Sequence, residues 1–147
     1  MKKLLSYDDK LNDFEKILKD NLNNCITENN SQKPDLPLSL VDDDDYYFNI
    51  TESANSNQFV YLEILRVEPR SITGKSADIV FINVFVGFST NRAPKENMIM
   101  AYRYESCIRA AFENNPLIKY ESCLVDGLTI GNRALYGAMC TFSVSLF

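Results

Sequence analysis

Apolar residues recur at helical spacing from the start of the chain. Tyr7, Leu11, Phe14, Leu18 and Leu22 share one stripe with Ile17 beside them, and Asp8, Asp13, Glu15, Lys16 and Asp20 take the opposite side. Ser6 is a suitable N-cap with Asp9 three residues on, and the early acids Asp8 and Asp9 suit the positive end of a helix dipole. The spacing predicts an amphipathic helix that ends in the Asn21–Asn24 region. Residues 27–45, polar with Pro34 and Pro37 and closing on Asp42–Asp45, read as a long polar and acidic loop. A short strand at Tyr46–Ile50 follows.

Period-two alternation then takes over. Phe59–Glu68 carries Val60, Leu62 and Ile64 on one side and Tyr61, Leu65 and Val67 on the other. Pro69 is expected to end it, and Pro69–Ala77 reads as a connection turning at Gly74. Asp78–Phe88 is apolar on both faces, with Val80, Ile82, Val84, Val86 and Phe88 set against Ile79, Phe81, Asn83, Phe85 and Gly87. Such a strand is central and wants cover on both sides, the second from the same chain or from a partner subunit.

Pro94 opens a second helix, roughly Lys95–Asn114, striped by Met100, Tyr104, Cys107, Ile108 and Ala111 and stopped by Asn114-Asn115-Pro116. The last section reads as a hairpin, Ser122–Ile130 and Arg133–Phe147, around Gly131-Asn132. A two-residue loop there sets Ile130 opposite Arg133, Gly127 opposite Tyr136 and Asp126 opposite Gly137, with a kink or bulge expected near the glycines. Ala138, Cys140, Phe142, Val144 and Leu146 then face inward, and Thr141, Ser143 and Ser145 outward. The whole predicts one α+β domain over residues 1–147, a mostly antiparallel sheet of about five strands with two amphipathic helices on one face.

Composition narrows the chemistry. The chain of 147 residues contains no histidine, which removes Ser-His-Asp and Cys-His catalysis and His-ligated metals. Cys25, Cys107, Cys123 and Cys140 include no C-x-x-C pair, so a zinc site is not expected, and the cysteines read as reduced and buried rather than disulfide-bonded. Residues 1–50 hold 11 acids against 6 bases, which accounts for the whole net charge of −5. Nothing in that balance attracts nucleic acid or anionic lipid. Lys2-Lys3-Leu4-Leu5 begins like a leader but the apolar run stops at once, and the reading is a soluble chain made in the cytosol.

Four features are candidates for function. Asp42, Asp43, Asp44 and Asp45 lack the alternating ligands and the closing Glu of a calcium loop, so they read as a solvated acidic run or an electrostatic contact. Tyr46, Tyr47 and Phe48 cannot all face one core, because successive strand residues point to opposite faces, and aromatics beside charge suit an interface. Gly74-Lys75-Ser76 lacks the earlier glycine and the following helix of a phosphate loop. Glu63, Glu68 and Glu105 are unpaired in sequence, so no catalytic constellation emerges; rapid labelling of Cys25 alone would revive an enzyme reading. The expectation is a non-enzymatic protein without cofactor or metal, whose contact elements are Asp42–Phe48 and the Pro69–Ala77 connection with Arg70 and Lys75.

This layout of helix, loop and strand, long hairpin, helix and final hairpin, carried by Tyr7–Leu22, Asp42–Ile50, Phe59–Phe88, Lys95–Asn114 and Ser122–Phe147, resembles the tail-terminator (tail-completion) proteins of long-tailed bacteriophages. The resemblance lies in order and length, without a shared motif. It implies a virion protein of the tail or neck, a homo-oligomeric ring, commonly a hexamer, that caps the tail tube and meets the head-completion or connector protein, with genome DNA passing through unbound. Other head-tail joining proteins, or a small soluble α+β ligand-binding module, are the alternatives.

Overall fold

The computed structural model describes residues 7–48, 57–72, 74–89, 91–130 and 132–146. Helix α1 (Tyr7–Gln32) is followed by a single 3-10 turn at Asp43–Asp45 and by β1 (Tyr46–Tyr47). Then come β2 (Gln58–Ile72), β3 (Lys75–Ser89), α2 (Pro94–Ala111), β4 (Ile118–Ile130) and β5 (Arg133–Leu146). The five strands form one sheet in the order β1-β2-β3-β5-β4. All neighbours are antiparallel except β1 on β2, which is parallel, so the fold is α+β with a mixed, mostly antiparallel sheet.

Both helices lie on one face. Their buried stripes (Phe14, Leu18, Leu22 and Ile26 from α1; Met100, Tyr104, Cys107, Ile108 and Ala111 from α2) merge with Val60, Leu62, Val80, Ile82, Val84, Val86, Ala138, Cys140 and Phe142 in one core. Its centre is aromatic: Phe14 stacks on Phe112 at 4.3 Å between ring centroids, and Phe142 meets Phe112 at 4.7 Å and Tyr120 at 5.4 Å.

Helix α1 runs to Gln32, well past the expected end, because Ile26 extends the stripe by another turn and Asn23 and Asn30 have work to do. Asn23 donates its amide to the Val41 carbonyl and accepts from the Val41 N–H, both at 2.8 Å. Asn30 treats Leu38 the same way, at 2.8 and 2.7 Å. Side-chain amides thus stand in for the rungs of a strand, and tertiary bonds override the poor helix propensity of asparagine. Arg103 ties the same segment to α2 through Asp35 and the Leu36 carbonyl, both at 3.0 Å, and Tyr104 donates to the Ser39 carbonyl. The supposed loop at 27–45 is therefore helix up to Gln32 and, beyond it, a strap whose Leu38 and Val41 belong to the core.

Two further expectations need correction. Pro69 does not end β2, which continues to Ile72 opposite Lys75. From Leu62 onward β2 has no neighbour on its outer side among the described residues, and proline is tolerated on an edge strand. Pro69–Ala77 is therefore two hairpin arms around Gly74, whose φ of 77° needs glycine. A bulge between Ile64 and Arg66 also reverses the alternation, which returns Val67 to the helix side. In the last hairpin the register Ile130↔Arg133, Gly127↔Tyr136 and Asp126↔Gly137 is as expected, but β4 starts earlier, at Ile118, and its bulge falls at Tyr120/Ser122 rather than at the glycines. The Ser6 cap, Asn49 and Ile50 of the first strand, Thr73 and Gly131 lie outside the described residues.

Candidate interaction surface

The sheet face opposite the helices carries a separate set of side chains. At the β1 end Phe59, Phe85 and Leu135 form a small buried cluster, flanked by Tyr47, Tyr61, Leu128 and Met139. Gly87 and Gly137, opposite each other on β3 and β5, make room for it. A Cβ on Gly87 would stand 2.8 Å from the rings of Phe59 and Phe85, and one on Gly137 would run into the Val86 carbonyl oxygen.

Next along the face comes a relay of polar groups. The Tyr61 hydroxyl donates to Glu63 at 2.6 Å, Asn83 donates to the other Glu63 oxygen at 3.1 Å, and Thr141 donates to the Asn83 carbonyl oxygen at 2.7 Å. Burial and the Glu63 carboxylate push the Tyr61 phenol up to about 12. Towards the hairpin tip the Arg66 guanidinium lies 4.0 Å over the Phe81 ring and bonds Glu68 at 2.8 Å, and Arg70 holds the second Glu68 oxygen at 3.1 Å. These two arginines hold the Glu68 carboxyl below its ordinary range.

Both faces of β3 are thus covered, as its composition demands, and the second cover comes from the same chain. Phe81, Asn83 and Phe85 are only 5%, 7% and 5% exposed although no helix lies over them. Arg66 stacks over Phe81, Glu63 and Thr141 bond Asn83, and Tyr61 and Met139 pack against the cluster that holds Phe85. Leu124, on the adjoining edge strand, remains 65% exposed.

The sequence-predicted contact residues do not form one site. Asp42, Asp43 and Asp44 are exposed around the 3-10 turn. Tyr46 turns to the helix side under Lys19, Tyr47 turns to the helix-free side against Phe59 at 6.5 Å, and Phe48 is 45% exposed, which is the split that strand alternation requires. Arg70 and Lys75 sit at the far end of the β2–β3 hairpin. Ile72 at the tip is eleven residues along the strand from Tyr61, beside β1, roughly 36 Å at about 3.3 Å per residue. The two expected contact elements therefore occupy opposite ends of the sheet. Tyr61, Asn83, Thr141, Met139 and Leu124 were missed as surface builders; the lone Asn83 in an apolar strand was the available signal.

Glu63, Glu68 and Glu105 are each engaged separately: Glu63 in the relay, Glu68 by two arginines, and Glu105 by the Tyr120 hydroxyl at 2.7 Å. Arg109 stacks on Tyr120 at 4.1 Å. Burial, with Glu28 and Glu113 nearby, pushes the Cys25 thiol up, the opposite of an activated nucleophile. Among the described residues no cluster of three or more His, Cys, Asp or Glu could hold a metal ion, and no helix is long and apolar enough to cross a membrane. No protein-family model matches the chain, and no curated protein matches it.

Proposed function

We propose that this chain is a non-enzymatic structural subunit that joins copies of itself edge to edge, and that its assembly is the ring terminating a long-tailed phage tail tube and meeting the head connector. The observation that carries the reading is the pair of open sheet edges. Among the described residues β4 is paired only through β5, and β2 is flanked by β1 only at Val60 and Tyr61. Open edges are templates for further strands. The two differ in sequence, so joining one to the other is head-to-tail, and head-to-tail contacts generate rings when the rotation closes.

The phage role rests on the resemblance in order and length of the elements read from the sequence. The net charge of −5 suits a passage through which DNA slides without binding. A ligand-binding module is the second reading. It is favoured by a groove of about 530 Å³ between the end of α2 and β4, lined by Arg109, Phe112, Ile118, Tyr120 and Phe142.

Light scattering after size exclusion, with and without tail tubes, tests the proposal. The expected result is a closed ring of fixed stoichiometry, alone or on tubes, that Leu124→Lys abolishes while the monomer stays folded, since an edge lysine discourages strand addition. A monomer that neither assembles nor binds tubes overturns it and makes a small-molecule screen on the groove the next step.

A further inference from the structure

Cys123 on β4 and Cys140 on β5 stand directly opposite each other, with their sulfurs 3.7 Å apart. Opposed residues of an antiparallel pair have Cα atoms about 4.5 or 5.5 Å apart, and both values lie in the range a disulfide bridges. The sulfurs need only close to about 2.0 Å. The strand that must move is the outer one, free on its far side, and its bulge at Tyr120/Ser122 directly precedes Cys123. The two thiols also differ in character. Cys140 is fully buried, while Cys123 is half-buried and so the one that solvent reaches. The Cys140 thiol donates its hydrogen bond to the Cys123 sulfur, and that bond holds Cys123 below its ordinary value while Cys140 is pushed up. An accessible cysteine directly opposite a fully buried one is the arrangement of an attacking and a resolving thiol.

We propose that Cys123 and Cys140 form a dithiol that hydroperoxides convert into an intrachain disulfide, fastening the edge strand β4 to β5. The Cys123 sulfur attacks the outer peroxide oxygen and the O–O bond breaks. The remainder leaves as an alcohol, or as water from hydrogen peroxide, taking up the Cys123 proton, and Cys123 becomes a sulfenic acid. The Cys140 sulfur then attacks the Cys123 sulfur, the S–O bond breaks, and hydroxide leaves with the Cys140 proton as a second water. Overall the two thiols lose two electrons and two protons to one peroxide. This step is independent of the assembly proposed above.

The test exposes the full chain to hydrogen peroxide, blocks remaining thiols after denaturation, and maps the peptides. The expected result is loss of two of the four thiols, recovered as one linked Cys123–Cys140 peptide that dithiothreitol separates. Cys123→Ser should leave all the other thiols free. In Cys140→Ala, checked for native circular dichroism, Cys123 should stop at a sulfenic acid that dimedone captures. Three results overturn the proposal: Cys123 advancing to sulfinic acid while Cys140 stays free in the native chain, a linkage that runs through Cys25 or between chains, or four intact thiols under peroxide that oxidises an unstructured cysteine peptide. Mapping of the native chain requires neither variant to fold.

Discussion

The two faces of the sheet bury their side chains by different means. On the helix side Phe142 lies among Phe14, Phe112 and Tyr120, and close packing of whole elements excludes water. On the other side β3 is as well buried, yet its cover is a single layer of tyrosine, methionine and arginine side chains lying along the strands, held by the Tyr61–Glu63–Asn83–Thr141 relay and the Arg66–Glu68–Arg70 group. A strand that is apolar on both faces therefore does not demand a second layer or a partner subunit. Long flat neighbours suffice, provided their polar ends are paired.

Substitutions that remove ring volume break the comparison most sharply. Phe142→Ala should cost about 3–5 kcal/mol in urea unfolding, since the surrounding elements cannot collapse into the gap. Phe85→Ala on the helix-free side should cost about 1–2 kcal/mol less, because water and mobile neighbours can fill the space. Equal losses would mean that the single-layer cover is as rigid as the helix layer. The glycines give the next effect. Gly137→Ala should destabilise by about 1–3 kcal/mol through its collision with the Val86 carbonyl, while Gly127→Ala, whose nearest neighbour would be 3.6 Å away, should be tolerated within about 0.5 kcal/mol.

Thr141→Val should cost about 1 kcal/mol by leaving the Asn83 oxygen without its donor. A neutral result would make the relay incidental to the cover. The smallest effect is in alkali. The fold favours the neutral Tyr61 phenol, with a pKa of about 12 against an ordinary 10.0, so its contribution is complete below pH 10 and is lost as pH rises towards 12. Tyr104 on α2 and Tyr120 on the helix side of β4 are pushed up further by burial. Phenolate absorbance of the protein minus that of Tyr61→Phe should therefore isolate the Tyr61 step, and that step should come at lower pH than those of Tyr104 and Tyr120 isolated the same way. Simultaneous ionisation with global unfolding would erase the distinction between the faces.

The helix side was largely legible in the sequence, because its stripes repeat at regular intervals. Phe14, Leu18 and Leu22, then Met100, Tyr104 and Ile108, announce their elements, and the alternation from Ala138 to Val144 announces the strand beneath them. The final hairpin register followed from the spacing around one turn. Three things were hidden. The true end of α1 depends on asparagines that bond residues 8 and 18 positions away. The continuation of β2 through Pro69 depends on its edge position, a property of sheet order. The helix-free face is built from residues of all five strands, with two bulges shifting which residues share it. The split of Tyr46–Phe48 between faces followed from strand alternation, whereas the distance from it to the Arg70–Lys75 region depends on the length of the hairpin between them.

Asn23 and Asn30 have a consequence for how such a chain can drift over generations. Each grips the strap by its backbone alone, one N–H and one C=O, so the strap's path from Lys33 to Val41 does not depend on most of the side chains it carries. Its exposed letters are free to vary, while the two asparagines, two helical turns apart on α1, are not. Among descendants of this chain the lasting signature of the region is therefore expected in the helix that holds the strap, with the strap itself changing around a pair of buried apolar positions.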